Sequence, residues 1–474
     1  MTTIHPITLT LAAALAAGSA VAQQTGGLFY TTGTLEQSNQ CPPGALADVR
    51  RNEIQWVEPN ATASFSSKAW LPRVSSNVVL GDHDGDGNFD ERQQFGGIDA
   101  LVHPRDKNGA RVRIDKTRLF FSPRSGEPTL FGPAFQPADI GRVLPGGFVE
   151  RFLTAGQVHA AFGIPNNVAV DVDAAALHLT PNGGSVYLSF EGAHAITVAG
   201  LGVVVVGDGA IVRIPPAAIT WTLSPWDGAA IVDTVVPLSG QLVLAESQVD
   251  TRVANSGIRD AAGAAVTTIG DLDGLTLDPQ GGTFQSPWIN APIPHLWFCG
   301  ENLTGAGIVS TAGGGSIPAL NGVPLGSPVA TDGKQVGLYT TPSVGSLDGL
   351  AVSRGGVSHL SLDTADTTIP GPGALRLEIG GAPLPPTLML DLGCNLPSCI
   401  DPFVAALADD FPALYPLNFG PIVPVVGGCG SFVLPVSPAM HLVLQGQTVE
   451  FQVWYFDPAA ARLHISNPAK VTFQ

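Results

Sequence analysis

The sequence is poor in features that mark several common protein classes. Lys and Arg together number 22 of 474 residues against 39 Asp and Glu, so the formal net charge is −17. Broad nucleic-acid binding needs a basic surface, and this balance argues against it. The most apolar stretch, residues 195–207, is shorter than the ~20 residues of a membrane-spanning helix. We therefore expect no nucleic-acid partner and no transmembrane segment after the amino-terminal region.

Cysteine and catalytic motifs are scarce as well. The five cysteines are Cys41, Cys299, Cys394, Cys399 and Cys429. None are spaced as Cys-x-x-Cys, which disfavours a zinc ribbon. In an oxidising compartment, one disulfide is expected among the last three cysteines. The patterns of zinc peptidases, serine hydrolases and phosphate-binding loops are also missing. No catalytic residue is predicted, although a triad assembled from distant residues stays open.

The first 22 residues have the pattern of an export signal. An apolar run ends in Ala20-Val21-Ala22, which predicts cleavage before Gln23. No Lys or Arg precedes that run, so the amino terminus alone supplies positive charge there. We expect a mature protein that is secreted, periplasmic or held at the cell surface.

Glycine and proline are abundant and separate many short apolar-alternating stretches, which favours an all-β protein. The clearest stretch runs from Gly270 to Trp288. It predicts a turn, a strand over Leu275 to Leu277, a second turn at Pro279, and a returning partner strand over residues 283–285.

Related stretches recur, and each carries an aspartate at the start of its first strand: Asp99, Asp173, Asp273 and Asp348. At such positions an aspartate commonly bonds backbone amides of a turn. The closely spaced pairs Asp171/Asp173 and Asp271/Asp273 could instead be glycosidase acids. The recurrence of these aspartates at predicted turns favours the capping role.

A partner strand and a third strand follow each copy. A stretch at residues 27–32 looks like a partner strand without its leading copy, and third strands are predicted near Asp48, Asp139, Ile211, Ile308 and Leu377. The pattern gives about five units, the first of them incomplete. We expect the first and last units to share a sheet or pack as neighbours, because a closed ring leaves no exposed sheet edge.

The repeat stops near Pro385. In the remaining segment Val449, Phe451, Val453 and Tyr455 alternate along one strand, and residues 463–465 and 471–473 indicate further strands. A short helix is predicted around residues 403–410. The predicted fold is therefore all-β: a signal peptide (1–22), a β-propeller of about five blades (23–384) and a small C-terminal β-sandwich (385–474). A string of β-sandwiches is the alternative.

One glycine-rich loop has the spacing of a calcium site. Its predicted ligands occupy alternate positions: Asp82, Asp84, Asp86, Asn88 and Asp90. Ca²⁺ prefers six to eight oxygen ligands on a flexible loop, and Gly87 permits the sharp turn. The flanks look like strands, which argues against an EF-hand, and the loop resembles the calcium loops of integrin-type propeller repeats. The predicted cofactor is Ca²⁺, and a solvated acidic turn is the alternative.

Two further stretches suggest contact surfaces. Trp226 and Trp288 each follow Ser-Pro, and an exposed Trp in a polar loop can stack on a sugar ring. The alternative is that each ring folds back onto its own unit. The basic stretch 103–124 predicts a solvated hairpin, or a contact for an anionic polymer or an acidic neighbouring surface.

The repeat elements resemble those of large secreted bacterial proteins with D-x-D-A-L repeats, F-S strands and P-A-D-I strands. The matching residues here are Asp99-Ala100-Leu101, Phe121-Ser122 and Pro137-Ala138-Asp139-Ile140. The end of the chain, with Phe451-Gln452-Val453-Trp454, resembles a C-terminal β-sandwich common in such proteins. This resemblance implies secretion and architecture, and no activity.

The sequence thus predicts a secreted, non-catalytic binding or surface-associated protein that is stabilised by calcium. Its expected partner is an extracellular polysaccharide or a cell-surface component, contacted through Trp226 and Trp288. The alternative is a secreted glycoside hydrolase, or another hydrolase, on a propeller scaffold.

Overall fold

A computed structural model describes residues 27–32, 36–40, 45–49, 55–57, 68–69, 98–102, 120–126, 133–143, 149–180, 183–225, 228–260, 263–303, 307–320, 323–325, 347–353, 361–363, 368–380, 387–392, 418–422, 429–457, 462–465 and 469–474. Strands dominate these ranges, so the predicted all-β class is confirmed. The chain divides into two compact units, Gly26–Arg354 and Gly355–Gln474.

Four antiparallel sheets of the Gly26–Arg354 unit share one plan, in which a leading strand is followed outward by two or three partners. In order from the leading strand they are β25 (Leu347–Ser353), β1 (Gly27–Thr32), β4 (Gln55–Val57) and β5 (Lys68–Ala69); β6 (Ile98–Val102), β7 (Phe120–Pro123), β8 (Ile140–Val143) and β9 (Val149–Leu153); β10 (Val172–Thr180), β11 (Gly183–Phe190), β14 (Ile211–Ile214) and β17 (Gln241–Leu244); and β18 (Gly274–Leu277), β21 (Leu296–Cys299) and β22 (Val309–Ser310).

Two-stranded ribbons and two α-helices connect these sheets. The ribbons pair β2 (Glu36–Gln40) with β3 (Ala45–Val49), β12 (His194–Val198) with β13 (Gly202–Val206), β15 (Ile219–Leu223) with β16 (Ala230–Val235), β19 (Thr283–Gln285) with β20 (Pro292–Pro294), and β23 (Ala319–Leu320) with β24 (Val323–Pro324). The helices are α1 (Ala155–Phe162) and α2 (Glu246–Ser256).

The four leading strands β6, β10, β18 and β25 meet, and each contacts the other three. Small residues permit this close approach. At Gly274 in β18, an added Cβ would lie 2.5 Å from Sγ of Cys299 and 2.8 Å from Cβ of Leu350. A hydrogen bond also joins β25 and β18: the amide of Val352 donates to Oγ1 of Thr276.

The first and last units share a sheet, as expected. Strand β1 pairs antiparallel with β25, with Leu28 opposite Val352 and Tyr30 opposite Leu350. The described strands consequently form four sheets of this plan instead of five. The third strand of the shared sheet is β4, and the stretch around Asp48 that was predicted for this place pairs with β2 in a separate ribbon.

The prediction that residues 283–285 pair with β18 was wrong. Strand β18 pairs with β21, whereas residues 283–285 form β19, which pairs with β20 in a ribbon. The burial of the two strands explains why β21 pairs with β18. Every residue of β21 is buried, so this strand can cover the interior strand β18, while Thr283 and Gln285 face solvent.

The described residues of the Gly355–Gln474 unit form two sheets and one helix. One sheet has the order β26 (Ser361–Asp363), β28 (Gly373–Gly380) and β31 (Cys429–Val436). The other has the order β27 (Thr368–Ile369), β34 (Ala469–Phe473), β32 (Thr448–Asp457), β29 (Thr387–Leu392) and β30 (Asn418–Ile422), with β33 (Arg462–Ile465) beside β32. The helix is α3 (Pro438–Leu444).

Residues of both sheets form one hydrophobic core, as a β-sandwich requires. Val449, Phe451, Val453 and Tyr455 are buried, which confirms their predicted common face, and the two predicted later strands are present. Strand β28, which the sequence placed as the last third strand of the repeat, pairs along its whole length with β31. The predicted helix at 403–410 lies outside the described residues.

Candidate functional site

The four repeat aspartates come together where the leading strands meet. Asp99 lies in β6, Asp173 in β10 and Asp348 in β25, while Asp273 immediately precedes β18. Each follows a buried apolar residue, and Asp99, Asp273 and Asp348 are themselves buried. Turn capping was the favoured role for these residues, yet three of the four lie within strands. Their common strand position instead places four carboxyl groups in one region.

Three carboxylates of this region could hold a metal ion. One oxygen each of Asp173, Asp271 and Asp273 lies within 4.8 Å of the others. Asp173 and Asp271 are half-buried, so the group stays accessible from solvent. Asp271 lies close enough to Asp173 to raise the pKa of the Asp173 carboxyl group. We call Asp173, Asp271 and Asp273 the acidic triad.

Burial makes ionisation of these groups costly. Burial, together with the charges of Asp271, Asp273 and Asp99, raises the pKa of Asp173 to about 11. Burial also raises the pKa of Asp99 to about 8 and that of Asp171 to about 7. At neutral pH the region must therefore hold protons or a cation, because like charges at this spacing repel one another.

Arg124 supplies a positive charge beside the acidic triad. Its Nη1 donates to Oδ2 of Asp348 at 2.6 Å and lies 3.6 Å from Oδ1 of Asp99. Arg124 is the last residue of the basic stretch 103–124. Residues 103–119 lie outside the described ranges, so the solvated hairpin and the contact surface predicted for this stretch stay predictions.

Cys299 lies against the same region but is chemically inert there. It is a free, buried cysteine, and its Sγ donates to the carbonyl of Leu347 at 3.5 Å. Burial raises the pKa of its thiol, and the charges of Asp273, Asp348 and Asp173 act in the same direction. A thiol that resists ionisation is a poor nucleophile and a poor metal ligand.

The predicted calcium ligands all lie outside the described residues; they are Asp82, Asp84, Asp86, Asn88 and Asp90. The same holds for Trp226, Cys41, Cys394 and Cys399. In the sequence, the residues of the acidic triad were visible as a repeated aspartate and as the pairs Asp171/Asp173 and Asp271/Asp273. The clue that it is a site was the recurrence of this residue in strands that must be interior.

Trp288 lies at the surface, with 44% of its area exposed. The Ser-Pro-Trp sequence explains its position. The Ser286 hydroxyl donates to the carbonyl of Val243 and accepts from the amide of Trp288. The indole Nε1 donates to Oε1 of Gln248 at 3.1 Å, and the same oxygen accepts from the amide of Ala245 at the start of α2. The ring is thus held outward in a fixed orientation.

A cationic and aromatic stack lies next to Trp288. The Arg252 guanidinium lies 5.3 Å from the ring centroid of Phe284, and this ring stacks on His295 at 5.9 Å. Nη1 of Arg252 donates to the backbone carbonyl of Gln248, the residue whose side-chain Oε1 accepts from Trp288. We call Trp288, Gln248, Arg252, Phe284 and His295 the Trp288 face.

Comparisons with known proteins do not assign the chain to a family. No family model and no curated protein matches it. Among solved structures, a polysaccharide lyase is 9% identical with a TM-score of 0.14, and the chain spans 47% of its length while 93% of this chain is covered. A fungal alcohol oxidase of the AA5 family, in complex with copper, is 8% identical with a TM-score of 0.16. This match covers 94% of the present chain and 96% of the oxidase. Among the described residues, no helix is long and apolar enough to cross a membrane.

Proposed function

We propose that the chain is a secreted binding protein whose Gly26–Arg354 unit is a propeller-like scaffold stabilised by one Ca²⁺ ion at the acidic triad. The convergence of Asp173, Asp271 and Asp273 within 4.8 Å carries this proposal. Calcium binds oxygens at about 2.3–2.6 Å, so two ligands on opposite sides of the ion are about 5 Å apart. The triad fits within that span.

A cation would also resolve the electrostatic cost of the region. Protonation is the alternative means of removing repulsion, and the raised pKa of Asp173 reflects it. Carboxylate oxygens are the ligands that hard cations prefer. Since β10 and the segment before β18 belong to different sheets, an ion bound here would tie two sheets of the unit together.

Hydrolysis is the second candidate, and the closeness of the Asp173 and Asp271 carboxyl groups favours it. Acid proteases use two carboxyl groups that share one proton. Glycosidases, in contrast, place their carboxyl groups about 5 Å apart or farther and need one of them ionised. The oxygens of the acidic triad lie within 4.8 Å of one another, closer than this spacing. Cation binding therefore fits the acidic triad better than glycoside hydrolysis does.

The exposure of Trp288 supports polysaccharide binding as the role of the scaffold. A flat, apolar ring held outward can stack on a sugar, and a stacked ring contributes on the order of 1 kcal/mol. Because Gln248 and Ser286 fix the ring before any ligand arrives, little further ordering is required.

The calcium proposal is tested by titration calorimetry on the mature protein and two variants. The wild type should bind two Ca²⁺ ions, one at the acidic triad and one at the loop containing Asp84. Asp271→Asn should lose the first site and Asp84→Ala the second. At 100 times its Kd, Ca²⁺ should stabilise the fold by about 2.7 kcal/mol per site.

Asp233→Asn is the matched control, because Asp233 is exposed on β16 and its loss removes the same charge. It should leave both binding events intact. Unchanged stoichiometry in Asp271→Asn would refute a cation at the acidic triad. Release of reducing sugar from a polysaccharide, abolished by Asp271→Asn, would support hydrolysis instead.

A further inference from the structure

Arg252 is a half-buried cation without an acidic partner among the described residues. Burial lowers the pKa of its guanidinium, and no carboxylate contributes to the shift. Its Nε has no hydrogen-bond partner within the described part of the chain. In a chain with 39 acidic and 22 basic residues, a guanidinium left without a carboxylate is unexpected.

Arg252 and Trp288 are linked through Gln248, to which each donates a hydrogen bond. Gln248 and Arg252 are four residues apart in α2 and therefore lie on one helix face. Glu246 and Asp250 alternate with them and lie on another side of the helix. Asp250 is also engaged elsewhere, because its Oδ1 accepts from the amide of Ile269. Arg252 is thus the charged residue on the helix face that Gln248 shares.

The remaining charged groups near Arg252 do not neutralise it. His295 lies close enough for the charge of Arg252 to lower its pKa, although burial is the larger cause and Asp278 acts in the opposite direction. Asp278 is buried, and its Oδ1 accepts from the amide of Gln280 in a turn. An anionic ligand would therefore meet the Arg252 guanidinium without displacing a protein carboxylate.

We propose that Arg252 and Trp288 form a subsite for a carboxylated sugar, so that the ligand is an acidic polysaccharide containing uronate residues. This inference rests on the proposed polysaccharide binding by the Trp288 face. The guanidinium suits a carboxylate, because its charge strengthens any hydrogen bond that it donates to one. The indole offers a stacking surface for a sugar ring, and Gln248 fixes both groups relative to each other.

The test is calorimetric titration of the mature protein with short oligogalacturonate and with cello-oligosaccharide of equal length. The wild type should bind oligogalacturonate more tightly, and this preference should fall as salt is added. Arg252→Gln should weaken oligogalacturonate binding about tenfold, which corresponds to about 1.4 kcal/mol, and should weaken cello-oligosaccharide binding by less. Trp288→Ala should weaken the binding of both sugars.

Two further variants separate recognition from folding. Arg252→Lys keeps the charge and should retain part of the preference for oligogalacturonate. Arg259→Gln removes an exposed arginine that bonds only the carbonyl of Gly263 among described residues, and it should change nothing. Thermal unfolding of each variant should match the wild type before its affinity is compared.

Three outcomes would overturn the inference. Equal affinity for the acidic and neutral sugars would show that Arg252 does not select the ligand. Equal binding of a sulfated oligosaccharide would show a general anion site and remove the carboxylate assignment. Failure of the wild type to bind either the acidic or the neutral sugar would refute polysaccharide binding itself.

Discussion

At the scale of single residues, the buried carboxyl group of Asp99 links stability to pH. Only 3% of this residue is exposed, and burial raises its pKa from 3.8 to about 8, with Asp171 and Asp348 adding to the effect. The protonated form therefore favours the fold. Its contribution is fully present below pH 3.8 and is lost as the pH rises to about 8, because the unfolded chain ionises first.

We therefore expect the Gly26–Arg354 unit, in chelator, to lose stability between about pH 4 and pH 8, by up to about 1.4 kcal/mol per pH unit for this one group. Asp99→Asn cannot ionise and should flatten that slope. Urea unfolding at a series of pH values measures it. A slope that is equal in wild type and Asp99→Asn would show that Asp99 is ionised in the folded protein.

At the scale of strands, the close approach of β18 and β25 depends on the absence of a side chain at Gly274. Gly274→Ala would place a methyl group 2.5 Å from Sγ of Cys299 and 2.8 Å from Cβ of Leu350. Overpacking of this kind typically costs about 1–3 kcal/mol. We expect a loss of that size in the free energy of unfolding, measured by urea titration.

Gly373→Ala is the matched control, because an added Cβ there meets no atom within 4 Å. The double variant Gly274→Ala/Cys299→Ala removes the sulfur and should cost less than the sum of its two single changes. Additive losses would mean that Gly274 does not pack on Cys299.

The sequence predicted the strands better than their partners. Period-two alternation located β32, with Phe451 and Val453 on its buried face, because that pattern is a local property. The same pattern gave β18 the wrong partner. Whether β18 pairs with residues 283–285 or with β21 depends on which of the two the rest of the unit buries. The contact of Arg124 with Asp348 spans more than two hundred residues and has no local signal.

At the scale of the whole chain, the Gly26–Arg354 unit depends on the pairing of β1 with β25. Leu28 lies opposite Val352 in this register. A chain carrying Leu28→Cys and Val352→Cys should form a disulfide on oxidation, because paired positions bring the Cα atoms within ~7 Å. Nonreducing peptide mass spectrometry would detect the linked peptides.

The control pair is Leu28→Cys with Ala351→Cys, which is shifted by one residue. Adjacent residues of a strand point to opposite faces, so this pair should not link. Linkage of the shifted pair and not of the aligned pair would show a different register.

The pairing of β1 with β25 also sets the order of events during synthesis. Leu28 and Val352 are separated by about three hundred residues, and synthesis at ~5–20 residues per second takes on the order of 15–60 s to cover them. Throughout that interval residues 27–32 have been synthesised, but β25, the strand that will pair with their edge, has not. Contacts so distant in the chain form slowly. The edge of β1 that pairs with β25 therefore stays open until residues 347–353 have been made, and a holding chaperone that covers residues 27–32 would protect it during that time.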